Sequence, residues 1–115
     1  MGLASELRSR REIVTREVKV LEWGDENGPF VLHTRPVTCY DLDQLQKKHP
    51  KFLENMTICA MVDLICLKAL DESGNRLFKS SEDRMDLMGE ETRIISDIAN
   101  QMFAEIVPVE ELEKN

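Results

Sequence analysis

Between Arg16 and Trp23 the run REVKVLEW alternates, setting Val18 and Val20 on one face and Lys19 and Leu21 on the other, the period-two pattern of a half-buried strand. The following PFVLHTRPV has similar β-branched and aromatic content, with GDENG between the two. The pattern predicts a β-hairpin whose loop covers Gly24 to Gly28, where two glycines can take backbone angles barred to other residues. Pro36 has no amide donor, so the second strand ends near it or runs along an edge. A two-stranded hairpin is marginal alone and must pack on something, or gain strands from another subunit.

From Thr38 the period becomes helical. Thr38 with Asp41 three residues on is an N-cap arrangement; Leu42 and Leu45 share a side, and the short helix ends before Pro50. Lys47 and Lys48 fall in its last turn, where positive charge complements the helix end. Phe52 to Leu70 reads as one long helix, with a stripe Leu53, Met56, Ala60, Leu64 and a second stripe Ile58, Val62, Ile65, Ala69; Asp63 and Lys68 mark a narrow wet side. A face so wide is buried centrally or partly shared with another copy. After the polar break in ALDESGNRLF, Ser80 and Asp83 open a short helix that stops at Gly89. The last long helix, about Glu90 to Val107, carries Ile94, Ile98 and Met102 on one stripe with Ile95, Phe103 and Ile106 beside it, and Pro108 ends it.

The predicted fold is therefore mainly α with an α+β character: an N-terminal β-hairpin followed by a bundle of about four helices, two long and two short. With 115 residues there is room for one core. The expected organisation is a flexible arm over residues 1–15, a single domain over 16–107 and a frayed acidic tail over 108–115.

Charge narrows the partners. Fifteen basic against 22 acidic side chains leave a net charge of −7, which repels nucleic acid and acidic membrane surfaces. The one basic cluster, Arg8 to Glu12, is diluted by Glu6, Glu12 and Glu17 and reads as part of a solvated arm. Glu6 stands where a myristoylation pattern wants Ser or Thr. ICAMVDLICLKAL is interrupted by Asp63 and Lys68 and is shorter than a membrane span. Three cysteines, Cys39, Cys59 and Cys66, suit a reducing compartment, and Cys59 and Cys66 lie in an apolar run where free cysteine behaves as a small hydrophobe.

Candidate chemistry is sparse. His33 falls in a strand and His49 at a helix end, each a surface or capping residue, with no partner for a general base suggested by spacing. No phosphate loop, nucleophile elbow or zinc pair occurs. The polar break Ala69 to Phe78 is the best metal candidate and fails on spacing: with Gly74 sixth in an EF-hand loop the first ligand would be Ala69, and starting at Asp71 puts Arg76 in the glycine position. Its reading is a chain reversal at Gly74, reattached to the core by Leu77 and Phe78. No catalytic residue, metal or cofactor is assigned.

The order of a hairpin ending in an RP-V-T segment, a short helix, the run ICLKALDESGNRLFKSSEDRMDLM and a terminal amphipathic helix resembles the tail assembly chaperones of long-tailed bacteriophages. The shared element is a D-x-x-G-x-x-L-F connection, here Asp71, Gly74, Leu77 and Phe78, and the resemblance covers about Val18 to Ile106. It implies a small non-enzymatic protein of the host cytoplasm, absent from the finished virion, that coats the tape measure protein, helps recruit tail tube protein and self-associates. Candidate contact residues are Leu21, Trp23 and Val31 of the hairpin, Met56 and Leu64 of the central helix, and Ile98 and Met102 of the last helix. Two other classes stay open: a minor tail or head-tail joining protein kept in the virion, and a small acidic regulator of a host protein.

Overall fold

Alternation builds the hairpin as expected, and a computed structural model, which describes residues 2–103, shows where it stops. Strands β1 (Arg16–Asp25) and β2 (Gly28–Thr34) pair antiparallel, with Val18 opposite Leu32 and Val20 opposite Phe30. Beyond Val20 the register slips, so that residues 21–24 of β1 stand against Pro29 before Asp25 meets Gly28. Pro29 has no N–H to donate, which suits it to a bulge. Gly24 sits at the tightest point: a methyl group there would overlap the Gly28 carbonyl oxygen and the Pro29 Cα. The hairpin turn is thus shorter than the predicted loop, Glu26 and Asn27 alone lying between the strands.

Five helices accompany the hairpin among the described residues: α1 (Leu3–Ser9), α2 (Cys39–Lys48), α3 (Ile58–Lys68), α4 (Ser81–Met88) and α5 (Thr92–Phe103). The architecture is α+β, with α3 central, packed on α5, α2 and α4, while α5 also backs β1. Val18, Val20 and Leu32 from the hairpin meet Leu45, Phe52, Leu64, Ile65, Leu87, Ile95, Ile98 and Met102 in one core.

Two elements differ from the sequence expectation. The N-terminal arm, for which no helix was predicted, contains α1, whose LASELRS is rich in good helix formers; none of its residues is buried. The predicted Phe52–Leu70 helix is really a turn followed by a shorter helix. Amides of Glu54 and Asn55 donate to the Lys51 carbonyl, then Thr57 takes an extended backbone and its hydroxyl accepts the Ala60 N–H at 3.2 Å. That N-cap opens a new helix at Ile58 and competes with continuation through β-branched Thr57. The predicted end of the last helix, with Ile106 and Pro108, and the 108–115 tail lie outside the described residues.

The caps of α2 and α4 are those expected. Thr38 and Asp41 form a reciprocal capping box, and Ser80 Oγ accepts the Asp83 N–H at 3.0 Å. Strand β2 ends before Pro36, and its edge is extended by one bridge: His33 and Leu70 exchange both backbone hydrogen bonds, at 2.8 and 2.7 Å. That bridge ties the exit of α3 to the sheet.

Gly74 has φ +90°, as a chain reversal requires. Asp71 Oδ1 accepts the N–H groups of Ser73 and Asn75, and the Leu77 N–H returns to the Ala69 carbonyl. Gly74→Val places a β-branched side chain in the left-handed region, with its Cβ crowding the Arg35 guanidinium. The expected loss is about 1–3 kcal/mol, read as a lower urea midpoint; an unchanged midpoint would refute the strain.

Candidate docking clefts

The bulge after Val20 changes which side chains of β1 face the helices. Strict alternation would point Glu22 inward with Val18 and Val20; the extra residues instead turn Trp23 toward the helices. Its indole meets Phe30 edge-on at 6.2 Å and Phe78 edge-on at 6.1 Å, and its Nε1–H donates to Glu90 Oε2 at 2.8 Å. Phe30, Trp23 and Phe78 with Leu87 line a cleft of about 400 Å³ whose rim carries Asp83, Asp86 and Glu90. The Glu91 amide and the Trp23 indole both donate to Glu90 and hold its carboxyl below the usual carboxylate range. Nearby on α4, Met85 and Met88 are exposed.

On the other side of α4 is a second cleft, of about 500 Å³, lined by Tyr40, Lys48, Asp63, Arg76, Phe78 and Arg84 among others. Phe78 therefore borders both, the acid-rimmed aromatic cleft and the more basic one. The D-x-x-G-x-x-L-F connection is more than a turn with core anchors: Leu77 packs on the core, while half-buried Phe78 forms a wall of both clefts.

Beneath the basic cleft lies an ion network that spacing did not suggest. Asp63, only 8% exposed, receives Arg84 Nε at 2.6 Å and Nη2 at 3.3 Å, and its Oδ2 lies 2.7 Å from His49 Nε2. His49 is the C-cap of α2, so the capping expectation holds, but it also has a carboxylate partner. Asp63 and Lys68 correct the predicted wet side of α3. They mark where α4 and α2 pack, and Lys68 reaches Asp41 Oδ2 at 2.9 Å. The readable signal was Asp63 itself, an acid within an apolar run, since a buried charge demands partners.

Burial pushes the Asp63 carboxyl up, yet hydrogen bonds from Arg84 and His49 and the Arg84 charge outweigh it, leaving it below its ordinary value. Asp41 behaves alike, raised by burial but lowered further by the Thr38 amide and Lys68. Both folded values lie below the unfolded one of about 3.9, so their stabilisation is fully present above that value and lost as pH falls through the folded one. Urea midpoints should therefore drop on acidification below about pH 4, and less steeply in Asp63→Asn; parallel curves would contradict the assignment.

Chemistry at the network is constrained. Burial and the nearby Asp63 carboxylate push the Cys66 thiol up, which favours its protonated, weakly nucleophilic form. Cys59, expected in the core, is exposed at the start of α3, while Cys66 is buried. Among the described residues no group of three or more His, Cys, Asp or Glu could hold a metal ion, and no helix is long and apolar enough to cross a membrane.

The candidate contact residues separate by burial. Leu21 is 76% exposed; Trp23, Val31 and Met56 are half-buried. Leu64, Ile98 and Met102 lie at 0%, 0% and 1% exposure, so they are core residues and present no surface to a partner. Apart from Ile58 at its start, which is 37% exposed, the broad apolar face of α3 is covered within the chain. Phe30, Asp86 and Glu90 were not singled out in the sequence as contacts, and Asp83 only as a helix-start residue, because no local pattern joins a strand residue to a helix more than fifty positions away. Compared with known protein families, with curated proteins and with solved structures, the chain matches none.

Proposed function

We propose that this chain is a tail assembly chaperone of a long-tailed bacteriophage: a non-enzymatic protein of the host cytoplasm that binds the tape measure protein and helps recruit tail tube subunits. The observation that carries the reading is the acid-rimmed aromatic cleft formed by Trp23, Phe30, Phe78 and Leu87 under Asp83, Asp86 and Glu90. Such a groove suits an amphipathic helix that lays an apolar face on the rings and sets lysines or arginines against the carboxylates. Phe78 supports the link to the family, since the connection that carries the resemblance also supplies a cleft wall.

A chaperone of this kind keeps apolar helical faces from associating with one another until the tube protein replaces it. Aromatic side chains give it large contact area at low entropic cost, and the acid rim selects against acidic segments. Co-expression with the tape measure protein of the same phage tests this. The wild-type chain should raise that protein's soluble yield, and Asp83→Lys/Asp86→Lys should abolish the gain. If solubility and tail yield are the same without the chain, the proposal fails; stoichiometric chain in purified virions would point to a retained structural component instead.

A further inference from the structure

Helix α1 is short and lies on the surface of the described fold. It has seven residues, its N-cap makes no side-chain hydrogen bond and none of its residues is buried, whereas isolated helices of fewer than about 12 residues are marginal in water. Leu3 and Leu7, four apart and so on one face, are 67% and 47% exposed. Arg8, Arg10 and Arg11 follow directly. Within the arm these three arginines outnumber Glu6 and Glu12, so an apolar pair followed by guanidinium groups complements the acid-rimmed aromatic cleft.

We infer that the cleft of Trp23, Phe30, Phe78 and Leu87 receives helix α1 of a second copy of this chain, with Leu3 and Leu7 on the rings and the arginines facing Asp83, Asp86 and Glu90. This rests on reading the cleft as a seat for a basic amphipathic helix. The chain's own arm is badly placed to fill it. The arm joins β1 at Arg16, which is paired with Thr34 and whose Nη2 donates to the Gln101 carbonyl at 2.7 Å. Trp23 lies toward the opposite end of that strand. As many residues separate Ser9 from Arg16 as Arg16 from Trp23, so the connection would have to run back along the strand nearly straight, yet it turns at Arg10 and bends at Arg11. A neighbour's arm has no such limit.

An arm-to-cleft contact is heterologous: each copy offers one arm and one cleft, so it propagates into an open chain or a ring rather than closing as a two-fold dimer. The arm and a client helix compete for one seat. Self-association therefore falls as client binds.

The test uses the full chain and two complementary variants, Leu3→Asp/Leu7→Asp without a functional arm and Asp83→Lys/Asp86→Lys without a functional cleft, with Asp86→Lys alone as a milder cleft variant should the pair not fold. Sedimentation of the wild-type chain should show mass rising with concentration, and each variant alone should stay at the monomer mass of 13.3 kDa. An equimolar mixture of the two should give a two-chain species that grows no further, with the emission of Trp23, the sole tryptophan, shifting to the blue on mixing. A wild-type chain that stays at 13.3 kDa at its highest soluble concentration overturns the inference, as does assembly that persists in both variants or a mixture that forms no complex. Client binding is read separately, by tape measure solubility with the arm variant. Solubilisation retained there while the wild-type chain is monomeric removes the self-docking and leaves the chaperone reading standing; solubilisation lost while self-association persists does the reverse.

Discussion

Replacing Phe52 with alanine is expected to lower the free energy of unfolding by about 3–5 kcal/mol, while Leu53→Ala should cost less than about 1 kcal/mol. The contrast follows from where the two neighbours point. Phe52 is 0% exposed and among the largest fully buried side chains; Leu53 is 46% exposed. A continuous helix from Phe52 would use Leu53 as the first residue of its apolar stripe and reverse the ranking. In the turn between α2 and α3, the Phe52 amide donates to the His49 carbonyl at 2.8 Å, and the ring is part of the shared core. Truncation leaves a ring-sized void that rigid neighbours cannot fill. Urea unfolding of the two variants decides it, and equal losses would show that the turn is misplaced.

Asp63→Ala is the second large expected effect, a loss of about 1.5–3 kcal/mol from removing the acceptor of charge-assisted hydrogen bonds, smaller than for a fully buried pair because the Arg84 side chain is 34% exposed and can turn to solvent. It leaves Arg84 and His49 facing a void where a carboxylate accepted both. Because α2, α3 and α4 converge on that carboxylate, the loss should appear as reduced cooperativity as well as a lower midpoint. Replacing both partners, Asp63→Leu with Arg84→Met, should recover much of the loss, since a buried ion pair contributes little over well-packed apolar residues. A double-mutant cycle measures the coupling; additive losses would mean that the pair does not act as a unit. The exposed Arg93 pairs with Glu22 and Glu91 are the control, where substitutions should leave the urea midpoint essentially unchanged.

Much of the fold was legible because it rests on local rules. Thr38 with Asp41 and Ser80 with Asp83 announce helix starts, since short polar side chains satisfy amide groups that have no other partner. Gly74 announces a reversal, since only glycine adopts φ +90° cheaply. Thr57 carried the same kind of signal and was overridden by the longer apolar periodicity around it. The candidate site was less legible. Trp23 and Phe78 were singled out separately, one as a hairpin contact and one as a turn anchor, and nothing in their spacing says that their rings touch.

By itself, then, the sequence determined the hairpin, the starts of α2 and α4, the Gly74 reversal and the apolar character of α3 and α5, because each depends on hydrogen bonds and side-chain periods a few residues long. Only the tertiary structure decided that Leu64, Ile98 and Met102 are core rather than contact surface, that Asp63 is a buried hub rather than a wet edge, and that a bulge turns Trp23 toward Phe78 under an acid rim. Those outcomes depend on which faces meet across long separations in the chain, and an apolar side chain gains the same free energy from any dry surface that covers it.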